Sequence, residues 1–153
     1  MPDLLDTRLE NRWLVYPNHA NNLGTVHGGF VMMWMDQLGA MAAMRFAGRA
    51  CVTARFDQIN FERPVDVGDI TVIEAYVYAC GRTSVRVRLQ AHRENPRTGE
   101  RVATAESYAV YVAIDEDREP VAFERELTTN TEEAVRLQDA AIAGDNDLDP
   151  DAV

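Results

Sequence analysis

Asp36 is the first residue to ask for a chemical explanation, because it stands between Met32-Met33-Trp34-Met35 and Leu38-Gly39-Ala40-Met41. An ionised carboxylate in so apolar a run must be paired, hydrogen-bonded or shifted in its protonation, since burying it bare is costly. Two readings follow from that residue alone. Either it is a structural acid that caps a neighbouring element or meets an arginine at a subunit interface, or it is a general base or nucleophile strengthened by desolvation. Eight residues earlier, Gly28 and Gly29 open the stretch that carries it. Paired glycines before a helix admit close approach by a ligand and leave N–H groups aimed outward with the positive end of the helix dipole. A tight turn would explain the glycines more plainly, but with a carboxylate following on the same helix they make a ready oxyanion hole.

Spacing then constrains the chemistry. A rise of about 1.5 Å per residue puts Gly28 and Asp36 roughly 12 Å apart along the helix, whereas an acid and its oxyanion donors must both come within about 3 Å of the reacting atoms. One chain cannot easily supply both. Two chains with antiparallel helices about a two-fold axis can, each offering its helix start to the other's acid. The expectation is an obligate homodimer with two equivalent sites.

The elements that position these residues follow from hydrophobic period. From Phe30 the chain reads as a helix that is apolar on nearly every side, so it must be buried on most sides, and Gly48 stops it. Five of the six methionines lie between Met32 and Met44 and are read as core filling for the most part, with Met32 or Met35 as pocket lining. Ahead of the helix lies a short strand around Trp13 and Val15. Beyond it the period changes from 3.6 to 2, with strands from Val52 to Phe61, Ile70 to Ala79, Thr83 to Ala91 and Arg101 to Ile114. In the third of these Val85, Val87, Leu89 and Ala91 make a dry face, and Ser84, Arg86, Arg88 and Gln90 a wet one. Short connections favour antiparallel neighbours. The predicted class is α+β, a curved antiparallel sheet wrapped around one long central helix. Residues 128–153 hold seven acids and one arginine and form a separate segment: a surface helix from Glu132 to Ala143, then a mobile, solvated tail from Gly144.

Composition narrows the function. The 153 residues suit one domain, here residues 1–127 plus the acidic segment, and a formal charge of −10 repels nucleic acid and anionic membranes. The apolar stretch from Gly28 to Met44 is too short to span a bilayer. Cys51 and Cys80 are expected to be free, buried thiols, and with no leader-like N-terminus the protein reads as cytoplasmic. All 15 basic residues are arginine. Acidic excess without lysine is the pattern expected of a chain adapted to concentrated salt, where self-repulsion is screened.

The motifs carry a family resemblance. The run Asn21-Asn22-Leu23-Gly24-Thr25-Val26-His27-Gly28-Gly29, then Trp34-Met35-Asp36, then Phe61-Glu62-Arg63-Pro64-Val65-Asp66-Val67-Gly68-Asp69 resembles the hot-dog-fold acyl-CoA thioesterases. The branch it resembles is that of the bacterial broad-specificity acyl-CoA thioesterase and the brain-type cytosolic acyl-CoA hydrolase. Thr83-Ser84-Val85, Glu94 to Glu100, and Tyr111 to Asp115 follow in the same order, so the resemblance spans roughly residues 8 to 125. It implies that Asp36 matches the catalytic carboxylate and Asn21 the catalytic asparagine, and that the Gly28 and Gly29 amides polarise the thioester carbonyl. It also implies that these groups meet across a dimer interface and that dimers assemble into tetramers or hexamers. His27 falls inside the motif and is read as a packing or supporting residue rather than a base.

The expected reaction is hydrolysis of acyl-CoA to a fatty acid and CoA, with CoA part of the substrate and no cofactor or metal required. The polyanionic end of CoA calls for local arginines. Arg63, Arg82, Arg86, Arg88, Arg97 and Arg101 are candidates, with Arg82 beside Thr83 and Ser84, and Arg97 in its turn, foremost. His19 and His92 have no partner at metal-ligand spacing, and Asp145-Asn146-Asp147-Leu148-Asp149 has Pro150 where a calcium loop needs glycine. Two alternatives stand beside the hydrolase: a non-catalytic acyl-CoA-binding or assembly protein, and a hot-dog hydratase or dehydratase, which needs a histidine paired with the acid. If the acidic surface is an adaptation to salt, dialysis from molar salt into dilute buffer lowers the melting temperature; an unchanged melt refutes that origin.

Overall fold

Helix α1 runs from Gly28 to Ala47, capped at its start by the His27 side chain. It ends at Gly48, whose φ of 67° lets its N–H reach back to the Met44 carbonyl at 2.8 Å, a left-handed stop that glycine makes without strain. The computed structural model describes residues 1–148.

The strands are β1 (Leu9–Leu14), β2 (Cys51–Phe56), β3 (Asn60–Phe61), β4 (Ile70–Cys80), β5 (Ser84–Glu94) and β6 (Arg101–Ala113). They form one antiparallel sheet in the order β1-β4-β5-β6-β2, with β3 also paired to β6. Helix α1 packs against β1, β2, β4, β5 and β6, so the sheet wraps it as the expected α+β class requires. Ile73, Val77, Val85, Val87 and Leu89 meet Trp34, Met35, Leu38 and Phe46 on this inner face. Trp13 of β1 stacks on Trp34 with ring centroids 5.0 Å apart, fixing the helix start against the sheet edge.

The outer face is covered too. Tyr76, Tyr78 and Tyr108 pack there with Leu4 and with Ala134 and Ala141 of helix α2 (Glu132–Gly144). Strand β4 is therefore dry on both sides, which accounts for its nearly unbroken apolar sequence.

Several expectations are corrected. The outward residues of β5 do not face open water: Arg86 pairs with Asp145 at 2.9 Å, and Arg88 donates to the Tyr76 hydroxyl at 3.1 Å. The span from Val52 to Phe61 is two strands, because the register shifts between Thr53 and Arg55 and the Asp57 N–H then turns to the Tyr108 carbonyl. Of the five helical methionines only Met35 is buried; Met32, Met33 and Met41 are 46%, 45% and 44% exposed. Both cysteines are free but only half-buried, and burial pushes the Cys51 thiol up to about 11.

Asp145, expected in a solvated tail, is 3% exposed and accepts hydrogen bonds from Tyr78 and Arg86. Asp147 and Asp57 gather beside it and Arg55 bridges them, so ion pairs anchor the end of α2 to the sheet. Burial first, then the hydrogen bond and charge of Asp145, hold the Tyr78 phenol above its ordinary range, which keeps it a donor. The remainder of the expected tail, 149–153, lies outside the described residues. Removing one member of a buried pair strands the others, so Asp145→Ala should cost on the order of 3 kcal/mol in a denaturant titration. A loss below about 1 kcal/mol would mean α2 is held by its apolar contacts alone.

Candidate active site

Asp36 lies eight residues into α1, at the border between the buried stripe and the uncovered one. Two hydroxyls meet it. Thr53 Oγ1 donates to Asp36 Oδ1 at 2.6 Å, and the Tyr111 hydroxyl lies 3.2 Å from the same oxygen and 3.1 Å from the Asp36 carbonyl. Thr53 and Tyr111 are directly opposed in the β2–β6 ladder, so their side chains leave the sheet on one face and reach the helix together. Burial first, then the Asp36 charge, raises Tyr111 above the usual phenol range, so it stays protonated and able to donate. Among the described residues nothing donates to Asp36 Oδ2.

The approach of Tyr111 depends on Gly39, which faces it one turn beyond Asp36. A Cβ at that position would overlap the Tyr111 hydroxyl and ring.

The helix start forms a second centre. Gly28 lines a groove of about 360 Å³ with Val31, Phe61, Arg63, Val65 and Thr104. Asp36 is not among the groove's residues. The expectation of two free amides is corrected here, because the Gly29 N–H donates to His27 Nδ1 at 2.9 Å. His27 is thus an N-cap, its imidazole lone pair replacing the usual serine or aspartate oxygen. Asn21 organises the loop before it: Oδ1 accepts the N–H groups of Leu23 and Thr25, and Nδ2 donates to Thr25 Oγ1 at 2.9 Å.

The foremost arginine candidates are spread along the sheet. Arg63 borders the groove and donates to the Ala103 carbonyl at 2.8 Å. Arg82, Thr83 and Ser84 turn the chain from β4 into β5 beside Val85, which pairs with Tyr111, so they stand at the Asp36 end of the sheet. Arg97 lies in the β5–β6 turn, beyond the groove end. One chain therefore holds two separate groups of candidate residues: Asp36 with Thr53 and Tyr111, and Gly28 with the Asn21 loop and Arg63.

Comparison with known proteins bears on this arrangement. Residues 23–100 match the thioesterase superfamily. YkhA of Bacillus subtilis, named an uncharacterized acyl-CoA thioester hydrolase, is 33% identical over 87% of this chain and 77% of its own. The chain belongs to the thioesterase superfamily. Among solved structures, a hexameric acyl-CoA thioesterase matches this thioesterase with a TM-score of 0.84 and 37% identity, over 93% of this chain and 90% of that one. The acyl-CoA hydrolase of Staphylococcus aureus, solved with butyryl-CoA, CoA and CoA disulfide, matches at 0.84 and 26% identity over 92% and 85%. The fold is therefore the hot-dog fold.

Structures also exist of alanine variants of the S. aureus enzyme at an asparagine, an aspartate and a threonine. Those three stand fifteen and then seventeen positions apart, the separations of Asn21, Asp36 and Thr53 here. Thr53 and Tyr111 had no sequence reading as site residues. The one available signal was the polar side chain of Thr53 on a strand paired to the motif strand, and only the register makes it meaningful.

Gly39→Ala weighs two magnitudes. Alanine is favoured over glycine in a helix by about 1 kcal/mol, while overpacking a closed contact costs about 1–3 kcal/mol. Since Tyr111 is wholly buried, the clash should win, and the variant should melt lower than the parent. A higher melt would show that Tyr111 yields freely.

Proposed function

We propose that this thioesterase hydrolyses acyl-CoA to a free carboxylic acid and CoA, at a site completed by two copies of the chain. The observation that carries the reading is Asp36, with Oδ1 held by two hydroxyls and Oδ2 open, on a helix face that one chain leaves uncovered. Met32, Met33, Gln37, Met41 and Met44 are all exposed along that face. Beside it β2 pairs only with β6, so its other edge is open, and Val52 is 47% exposed. An apolar stripe next to an unpaired strand edge is a surface that a second copy can cover symmetrically. The hexameric state of the matched structure supports self-association; the two-fold pair as its unit is our reading of the uncovered helix face.

In the pair, the helix start of one copy faces Asp36 of the other. The thioester carbonyl oxygen rests on the Gly28 N–H, where the helix dipole favours developing negative charge. Gly29 stands behind it with its own N–H engaged by His27. Asn21 orients the carbonyl or the attacking water. A water molecule loses a proton to Asp36 Oδ2 and adds to the thioester carbon; the C–S bond breaks and the CoA thiolate takes up that proton. Direct attack by Oδ2 is the variant of this route, through an acyl-aspartate that water then opens. No cofactor enters either route, and CoA takes part only as the leaving portion of the substrate. No helix among the described residues is long and apolar enough to cross a membrane.

Existing ion pairs narrow the six arginine candidates for phosphate binding. Arg86, Arg88 and Arg101 are committed to Asp145, Glu106, and the group Glu10, Glu74 and Glu94. Arg63 lies against Glu62 and the Ala103 carbonyl. Among the described residues Arg82 and Arg97 form no ion pair. Arg82, next to Thr83 and Ser84 at the Asp36 end of the sheet, is the first candidate for the nucleotide end of CoA.

A mixing experiment tests the shared site. Asp36→Ala and Asn21→Ala, each assayed alone by thiol release from acyl-CoA, should be inactive or nearly so while eluting at the parental size. Unfolded together and refolded, they form mixed pairs that carry one intact site, restoring roughly a quarter of parental turnover under random pairing. Full activity of Asp36→Ala would refute the assignment, and an inactive mixture would refute the sharing.

A further inference from the structure

We infer that Tyr111 is a positioning residue for the reaction, holding Asp36 Oδ1 so that Oδ2 is presented to the reacting atoms. The inference rests on the reading of Asp36 as the reacting carboxylate, and it concerns what the helix alone cannot provide. An aspartate side chain on a helix border can rotate between staggered positions. Thr53 supplies one donor at 2.6 Å, but its side chain sits on an exposed edge strand, where a single contact leaves the carboxylate free to swing about it. The Tyr111 hydroxyl is a second, non-collinear donor to the same oxygen, 3.2 Å away.

Its position is over-determined. The ring is fully buried between α1 and the inner face of the sheet. The one hydroxyl proton is shared between Asp36 Oδ1 and the Asp36 carbonyl at 3.1 Å, and the space the hydroxyl occupies exists because Gly39 has no side chain. The register then puts Thr53 opposite Tyr111 on β2 and Val85 opposite it on β5, locking the strand that carries it from both sides. A rigid donor from the core paired with a more exposed one from the edge fixes both the rotamer and the identity of the outward oxygen. Such an arrangement limits the geometric error that costs rate even when the reacting group itself is intact.

Tyr111→Phe removes one oxygen atom and leaves no orphan, because Oδ1 keeps Thr53 and the Asp36 carbonyl keeps its place in the helix ladder. Assayed beside Asp36→Ala with an acyl-CoA substrate, it should lower kcat on the order of 100-fold, the cost of about 1 Å of misplacement, with KM unchanged. Parental kcat in Tyr111→Phe, with Asp36→Ala inactive, overturns the inference and leaves the hydrolase reading standing. Activity in Asp36→Ala overturns both. A rise in KM with kcat held would assign Tyr111 to substrate binding and also overturn it. Thr53→Val provides a second test that does not disturb the core. With Tyr111 still on the oxygen it should retain part of its kcat, and a loss as complete as that of Asp36→Ala would show that Tyr111 does not hold the carboxylate.

Discussion

An ionised carboxylate stands halfway along an apolar helix only if donors reach it, and for Asp36 they come from the sheet rather than from the helix. Thr53 and Tyr111 lie on neighbouring strands, opposed in register, and arrive together at one oxygen. That requirement propagates outward. The helix must lie close enough to β6 for a phenol to touch its backbone, so position 39 has no side chain. The close approach in turn packs one stripe of α1 into the sheet and turns the other, with its methionines, toward solvent. The acid sits on the boundary of the two, the place on the helix where it can be held from inside and still be reached from outside.

Elements whose signal is local were legible in the sequence. Helix α1 has a start in Gly28-Gly29, a stop in Gly48 and apolar residues throughout, and β5 alternates along its middle. The separation of Gly28 and Asp36 is likewise a property of one helix, so the distance between them needed no coordinates. Features created by register were not legible. Nothing near Thr53 says that it opposes Tyr111, fifty-eight positions away, because that pairing is set by the β2–β6 ladder and its shift after Thr53. The methionines failed for a related reason: periodicity shows that a face is apolar, but not what covers it.

The outer face teaches the same lesson with charge. Alternation in β5 described a wet surface, yet Arg86 and Arg88 lie beneath α2 and its end, paired with Asp145, Glu106 and the Tyr76 hydroxyl. Composition made the chain from Gly144 look like a solvated tail, because a tally of acids does not distinguish those facing water from those facing arginine. Asp145 differs from its neighbours only in having Tyr78 and Arg86 within reach, and both belong to strands far away in sequence. An acidic segment is solvated when its charges have no better partner, and here the sheet provides one.

The two open features of α1 have one physical solution. A helix is a stiff rod, and roughly 12 Å of it separates the amide end from the acid, so no adjustment within a chain brings them to one carbonyl. The same rod exposes a run of methionines beside a free strand edge. In the proposed two-fold pair these are a single problem: the contact that buries the methionines also delivers each helix start to the opposite acid. Association and assembly of the site are then one equilibrium, and anything that weakens the apolar contact removes active sites in proportion to the dimers it dissociates. Selection on turnover would therefore also maintain the packing of the helix face, although none of its methionines needs to touch the reacting atoms.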